Sequence, residues 1–252
     1  MPRRPPSALQ PAFPLLALGG RLQTPTRPLR SALLAMHHPL GASTGYMDFS
    51  RGDWAGMVER AVEVSTFAAE LGALGEDELL GLVAFLEGTP RLPFHYLSVH
   101  APTKRRRLPE PQLVALLNQL PAIVDSIVVH PDQVTAPPDW RALGRRLVIE
   151  NMDPRKTLGQ LPEHLAPLFA ALPDAGFCLD VAHAGAVEED MDVAHRLLDA
   201  FGARLRQLHV SSLRAGRGSH VPLYRKDEAR YARVLARCPD VPWILEAPPP
   251  RR

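Results

Sequence analysis

Short apolar runs alternate with longer amphipathic stretches from about residue 30 to the end of this sequence. In the amphipathic stretches, apolar residues recur at three- and four-residue spacing, which is typical of helices that bury one face. The apolar runs predict buried strands. Six runs are clear, at 96–99, 126–129, 147–149, 177–179, 205–208 and 243–245, and two weaker ones lie at 32–36 and 67–71. Strands that alternate with helices predict a parallel sheet.

The number and spacing of these units favour a closed barrel. Eight units in roughly 220 residues average about 28 residues each, which suits an α/β protein with a single-domain (β/α)8 TIM barrel. The alternative is an open, doubly wound sheet, but the sequence has no G-x-G-x-x-G after the first strand and no G-x-x-x-x-G-K-[ST]. The short connection between residues 129 and 147 predicts a stunted fourth helix. The predicted helices lie at 53–64, 76–87, 110–120, 163–172, 190–201 and 227–237.

Residues 1–28 differ from the rest of the chain because they contain seven prolines and show no clear period. We therefore expect a Pro-rich N-terminal arm at 1–28, followed by a catalytic barrel domain at 29–252. Taken as a whole, the sequence has the composition of an ordinary globular protein. Apolar residues make up 46% of the 252 residues and the formal net charge is +2, which excludes disorder throughout and does not favour a general nucleic-acid coat.

Two further classes of protein are excluded by composition. The two cysteines, Cys178 and Cys238, do not form a disulfide framework or a cysteine-based zinc site. The sequence contains no apolar run that approaches 18 residues, so no membrane span is predicted. A cytoplasmic location is expected.

Each of the six clear strands is followed or ended by a residue that can bind a metal. These residues are His100, His130, Glu150, Asp180, His209 and Glu246. In a barrel the carboxyl ends of the strands meet at one mouth, where active sites are built. Burying several carboxylates and imidazoles close together is costly unless they share a cation, and their oxygens and nitrogens suit zinc, manganese or iron. Any one of them could instead cap a helix, but six in succession favour a metal centre.

In these residues the chain resembles the xylose-isomerase-like TIM barrels, which include endonuclease IV and many sugar isomerases and epimerases. The resemblance covers about residues 30–248 and is firmest over 96–248. It implies that Glu150, Asp180, His209 and Glu246 form the four-residue metal site shared across the superfamily. His183, three residues after Asp180, matches the histidine that accompanies this site.

Three more histidines look like the endonuclease IV branch. His100, in a His-Ala-Pro run, and His130, in a His-Pro run, match the two histidines that help to hold a second metal there. His220 resembles part of the motif for a third metal, but Gly218 stands where that motif has an aspartate. The resemblance therefore implies zinc or manganese as the cofactor, with two ions expected and a third in doubt.

Cationic residues follow two of these strand ends. They are Lys104, Arg105, Arg106 and Arg107 after His100, and Arg214 and Arg217 after His209. Placed around the mouth, they would attract and bind a phosphate or carboxylate group of the substrate. The alternative is ordinary solvated surface charge. Glu70, near the end of the second predicted strand, is a weaker candidate for the mouth.

Two enzymatic hypotheses remain open on the sequence. The first is a hydrolase of a phosphoester that uses metal-activated water, because the ligands exceed what one ion needs. The second is a sugar or sugar-phosphate isomerase or epimerase, in which Glu150 and Glu246 move the proton next to a carbonyl while His183 polarises its oxygen. A non-catalytic metal- or ligand-binding barrel is a third and weaker hypothesis.

The expected substrate is a small anionic or polyhydroxylated molecule. Nucleic acid is not favoured as a partner, because aromatic residues make up only 6% of the chain and the sequence shows no basic patch with interleaved aromatics in the mouth loops.

Overall fold

The computed structural model describes residues 34, 39–88, 91–104, 106–214 and 219–249. The predicted arm at 1–28 lies outside these residues, as do Arg105, Arg217 and Gly218.

Eight parallel strands close into a barrel, as the sequence predicts. Around the barrel the order is β1-β10-β7-β6-β5-β4-β3-β2, and closure comes from β1, which pairs with both β2 and β10. The barrel strands are β1 (Leu40–Ser43), β2 (Ala68–Gly72), β3 (Tyr96–His100), β4 (Ser126–Val129), β5 (Leu147–Glu150), β6 (Gly176–Asp180), β7 (Leu205–Val210) and β10 (Trp243–Leu245). The predicted fold class is confirmed.

The first barrel strand is not where the sequence predicts it. The prediction of a strand at 32–36 is wrong, since the barrel begins with Leu40–Ser43 and Leu34 is helical. The actual strand is short and contains small residues, so it carries little apolar signal. Small size is required there, because a Cβ added at Gly41 would lie 2.7 Å from the Ala68 carbonyl oxygen. Small residues, which allow β1 to pack closely on β2, stand here in place of the β-branched residues that are typical of strands.

Helices connect the strands and cover the outside of the barrel. They are α1 (Trp54–Val62), α2 (Glu76–Gly88), α3 (Glu110–Asn118), α4 (Pro137–Trp140), α5 (Pro162–Ala171), α6 (Val181–Val187), α7 (Asp192–Phe201) and α8 (Arg225–Leu235). The fourth is a single turn, as the short connection predicts. The sequence analysis misses α6, which begins directly after β6. It also misses a small antiparallel hairpin of β8 (Ser212–Leu213) and β9 (His220–Val221).

The main apolar core lies between the barrel strands and the surrounding helices. Successive side chains on a strand point to opposite faces, so alternate residues point into the barrel. Val128, Val148 and Cys178 form a separate buried group, which fits positions inside the barrel. Two residues further along β5 and β6, the same alternation turns Glu150 and Asp180 toward the mouth. Within the described residues, no helix is long and apolar enough to cross a bilayer.

Candidate metal centre

The eight predicted metal ligands come together at the carboxyl end of the barrel. Their ligand atoms form three groups, and within each group all the atoms lie within 4.8 Å of one another. We call these groups A, B and C. Group A is Glu150, Asp180, His209 and Glu246; group B is His100, His130 and Glu150; group C is Asp180, His183 and His220. Glu150 belongs to A and B, and Asp180 to A and C, so the three groups form one continuous cluster.

Group A is centred on His209, whose side chain is fully buried. Its Nδ1 atom lies 3.0 Å from Glu150 Oε1 and 3.3 Å from Glu246 Oε1. The register explains this proximity, because His209 on β7 is paired with Asp180 on β6 and with Ile244 on β10, two residues before Glu246. The barrel-facing positions of three neighbouring strands therefore supply three of the four residues of group A.

Group B joins two histidines through one carboxylate oxygen. The Nε2 atoms of His100 and His130 each lie 3.3 Å from Glu150 Oε2. The Nδ1 atom of His100 lies 2.9 Å from the Ala101 carbonyl oxygen, to which it can donate. This hydrogen bond holds a proton on Nδ1, so Nε2 is the ring nitrogen that a cation could share with Glu150.

Group C depends on the start of α6 and on the hairpin. Asp180 caps α6, because its Oδ1 accepts a hydrogen bond of 2.7 Å from the His183 backbone N–H. The cap turns one oxygen away and leaves Oδ2 3.4 Å from His183 Nδ1. The β8–β9 hairpin then brings in His220, whose Nδ1 lies 3.2 Å from Glu246 Oε2. His220 thus joins the cluster although its motif has Gly218 in place of an aspartate.

The surroundings of the cluster strongly shift the pKa values of two of its carboxyl groups, Glu150 and Glu246. Burial raises the pKa of Glu246 well above its usual value, and the negative charges of Asp180 and Glu150 add to this effect against the opposing charge of His209. Burial would also raise the pKa of Glu150, but the charge of His209 and the hydrogen bonds with His100, His130 and His209 hold it well below its usual value. The pKa values of two carboxyl groups of one cluster are thus shifted in opposite directions.

Unpaired buried atoms show that the cluster fits a cation. Among the described residues of the cluster, Asp180 Oδ2 and Glu246 Oε2 are buried and make no hydrogen bond, although His183 Nδ1 and His220 Nδ1 lie 3.4 and 3.2 Å from them. Buried polar atoms are paired in the great majority of cases, so unpaired ones point to a missing ligand. Carboxylate oxygens and imidazole nitrogens are the donor set of zinc and manganese sites. The residues present therefore fit one or more divalent ions.

Two residues that the sequence analysis does not single out hold this cluster in place. The side chain of Asn151 accepts from the Asp180 backbone N–H at 2.8 Å and donates to the Asp180 carbonyl oxygen at 3.0 Å. The Asn151 carbonyl oxygen lies 2.9 Å from His183 Nδ1, and Asp153 Oδ2 lies 3.6 Å from His183 Nε2. Their signal in the sequence is proximity alone, because both follow Glu150 within three residues.

Of the predicted cationic residues, the four that the structure describes lie in the loops around the mouth. Lys104, Arg107 and Arg214 are exposed. Arg106 is half-buried, and its guanidinium donates to the side chain and to the backbone carbonyl oxygen of Gln133. This contact links the loop after β3 to the loop after β4. The role of these residues in binding a substrate stays a prediction.

Three solved structures resemble this chain over most of its length. A 3-keto-D-glucoside 4-epimerase from E. coli is 13% identical, with a TM-score of 0.50 over 84% of this chain and 92% of that one. The likeness confirms the barrel fold. A D-psicose 3-epimerase from Clostridium cellulolyticum H10 is 14% identical, with a TM-score of 0.48 over 82% of this chain and 84% of that one. A probable 3-DHS dehydratase from Bacillus anthracis is 13% identical, with a TM-score of 0.46 over 81% and 91%.

At these identities the comparisons bear on the architecture alone. No protein-family model and no curated protein matches the sequence.

Proposed function

We propose that this protein is a divalent-metal-dependent isomerase or epimerase of a small polyhydroxylated substrate, such as a sugar or sugar phosphate. The observation that carries the proposal is group A, in which two carboxylates, Glu150 and Glu246, flank one histidine nitrogen at 3.0 and 3.3 Å. The two residues come from different walls of the barrel, since β7 and β6 lie between β10 and β5. A substrate bound between them has a carboxylate available on either side of the reacting carbon.

Each residue then has a distinct task. One of the two carboxylates, Glu150 or Glu246, removes the proton from the carbon next to the carbonyl, and the other returns a proton to the product. His183, which is largely buried at the edge of the cluster, directs an N–H or a ligand nitrogen at the substrate oxygen. A bound divalent ion supplies the positive charge that stabilises the substrate oxygens during proton transfer.

The comparison with the E. coli structure supports this choice over hydrolysis, because that protein is described as an epimerase of a keto-sugar. Barrels of one fold carry many different reactions, so the support comes second to the geometry of group A.

Exchange of substrate hydrogen with solvent tests the proposal. Metal-loaded protein is incubated in D2O with a panel of ketoses and ketose phosphates, and deuterium at the carbon next to the carbonyl is measured. We expect deuterium incorporation by the parent, its loss in Glu246→Gln, and parental behaviour in the matched control Glu87→Gln, an exposed position at the end of α2. Absence of exchange from every substrate, together with hydrolysis of a phosphoester, would reject the proposal.

Hydrolysis of a phosphoester is the second candidate, and one observation favours it. Group B places His100 and His130 on the same carboxylate that serves group A. Two ions that share a carboxylate suit in-line attack by water on phosphorus. His130 separates the two candidates, because it belongs to group B alone: His130→Asn should leave proton exchange largely intact in an isomerase and abolish turnover in a two-metal hydrolase.

A further inference from the structure

Glu70 is a fully buried carboxylate beneath the metal centre that the proposed reaction does not use. It lies on β2, where its register partners are Ser43 on β1 and Ser98 on β3. Both hydroxyls donate to it, Ser43 Oγ to Oε1 at 3.2 Å and Ser98 Oγ to Oε2 at 3.1 Å. Burying a carboxylate this completely is costly unless its charge has a specific partner. That partner is identified by the remaining contacts.

The other contacts of Glu70 come from β7. Gln207 Nε2 donates to Glu70 Oε2 at 2.8 Å, and the orientation of this amide is fixed at its other end, where Tyr96 donates its hydroxyl proton to Gln207 Oε1 at 2.8 Å. His209 Nε2 lies 3.0 Å from the same Glu70 oxygen. An ionised carboxylate can only accept hydrogen bonds, so Nε2 carries a proton.

The consequence appears at the opposite side of the imidazole ring. With the proton on Nε2, the neutral ring has its lone pair on Nδ1, and Nδ1 faces Glu150 and Glu246 in group A. Gln207 Nε2 also lies 2.9 Å from His209 Nε2 and could donate to it, which would favour the competing tautomer with the proton on Nδ1. Each ring nitrogen lies 3.0 Å from a carboxylate oxygen, Nε2 from Glu70 and Nδ1 from Glu150, so the nitrogen without a proton needs a cation beside it. Only Nδ1 faces the residues of group A that could share such a cation, whereas the competing tautomer would put a proton there.

We propose that Glu70 is a positioning residue: it holds the Nε2–H of His209 and thereby presents Nδ1 to the metal in group A. Carboxylates that accept from the second nitrogen of a ligating histidine fix its tautomer and its ring orientation and raise its basicity. The inference rests on the metal centre of the proposed function and is independent of the substrate. It makes Glu70, Gln207 and Tyr96 a chain of hydrogen bonds that supports one ligand from below.

Zinc affinity tests this role without any measurement of activity. Purified metal-free variants are titrated with zinc against a chromophoric chelator. Loss of such a carboxylate partner costs about 10- to 100-fold in metal affinity, so we expect a loss of about 10-fold for Glu70→Gln and of about 100-fold for Glu70→Ala. Ser98→Ala is the matched control, because Ser98 donates to the same oxygen of Glu70 and shows no contact with His209 among the described hydrogen bonds. Its zinc affinity should stay within about twofold of the parent.

His209→Ala identifies the site concerned, since the zinc ion weakened in the Glu70 variants should be the one that His209→Ala removes. A Glu70→Gln protein that is folded and binds this ion as tightly as the parent would overturn the proposal. A parent that binds no zinc would overturn the proposed metal centre as well, so the two failures are distinguishable.

The spectrum of the parent decides the question even if the Glu70 variants do not fold. In 15N-histidine NMR of the zinc-loaded parent, the signals of His209 are identified by their loss in His209→Asn. We expect a protonated Nε2 and a zinc-bound Nδ1. A zinc-bound Nε2, or a proton on Nδ1, would overturn the role of Glu70.

Discussion

Two layers of polar side chains lie inside the barrel, one at its mouth and one beneath it. They differ in whether their polar atoms have hydrogen-bond partners within the protein. The mouth layer contains His100, Glu150, Asp180, His209 and Glu246. The support layer contains Glu70, Ser98 and Gln207. On β3 and β7 the layers are two residues apart, at 98 and 100 and at 207 and 209, so both point into the barrel. The side chains of the support layer have hydrogen-bond partners within the protein, whereas Asp180 and Glu246 keep unpaired oxygens.

The carboxyl groups of the two layers also differ in the direction of their pKa shifts. Burial alone would raise the pKa of Glu70, but the charge of His209 and the hydrogen bonds from His209 and Gln207 lower it to about 2. Burial raises the pKa of Glu246 well above its usual value. A carboxylate with enough protein donors stays ionised, and one without them takes up a proton unless a cation replaces it. Both layers are buried, so the difference between them lies in the supply of protein donors, and it favours the mouth layer over the support layer as the place for a cation.

The largest expected effect comes from removing a carboxylate that two metal groups share. Asp180→Ala takes a ligand from groups A and C and should reduce activity by about 1000-fold, the equivalent of about 4 kcal/mol of lost metal stabilisation. Metal analysis should show fewer ions per chain. The metal-free protein should lose about 0.5–2 kcal/mol in free energy of unfolding, because the cap of α6 is removed, and relief of carboxylate repulsion should offset part of this loss. Asp174→Ala, at an exposed turn, is the matched control. Full metal content in Asp180→Ala would contradict the assignment of the mouth layer.

The pH dependence of metal binding is the next largest effect. Glu246 has a raised pKa, so below that pKa it is protonated and an arriving cation must displace the proton. Affinity should therefore fall as the pH is lowered, by about tenfold per pH unit for each proton displaced. Calorimetry in buffers of different ionisation enthalpy counts these protons. Glu246→Gln should release one proton fewer than the parent, and an equal release from both would argue against this role of Glu246.

Gln207, in the support layer, should respond mainly in stability, because it is not itself a metal ligand. Gln207→Leu removes the donor to Glu70 and the acceptor for Tyr96, and leaving such buried groups unpaired costs about 1–3 kcal/mol in free energy of unfolding. Denaturant titration of the metal-free protein measures this loss, and the number of zinc ions per chain should not change. Gln112→Leu, an exposed position on α3, should leave the stability close to that of the parent. A Gln207→Leu protein of parental stability would place Gln207 outside the support layer.

Much of the mouth layer could be predicted because each of its residues ends or follows a run of apolar residues. A parallel barrel converts this local pattern into spatial proximity, which is why His100, His130 and Glu150 meet as expected. The doubt about His220 arises from Gly218, yet the structure brings His220 to Asp180 and His183 through the hairpin, whose two short strands carry no recognisable period.

The support layer could not be predicted in the same way. Glu70 interacts with a histidine 139 residues away, and no local pattern connects the two. From the sequence, Glu70 is only a weaker candidate for the mouth, whereas its register with Ser98 sets it one layer deeper than His100. The strand at 40–43 was missed for a related reason, since close packing on β2 favours small residues there. The depth of Glu70 and the small residues of β1 both depend on contacts with strands that are distant in sequence.

The cationic residues should give the smallest effect, because those that the structure describes lie outside both layers, and Lys104, Arg107 and Arg214 are exposed. Neutralising Arg105, Arg106 and Arg107 together should raise KM for a phosphorylated substrate severalfold with a smaller loss of kcat, as expected when binding is weakened more than chemistry. The effect should shrink at high salt, where screening already weakens these contacts in the parent. Steady-state kinetics at two salt concentrations measures both, and a triple change at Arg145, Arg206 and Arg233, exposed positions away from the mouth, controls for the lost charge. An unchanged KM at low salt would confine substrate recognition to the polar layers inside the barrel and leave these arginines as surface charge.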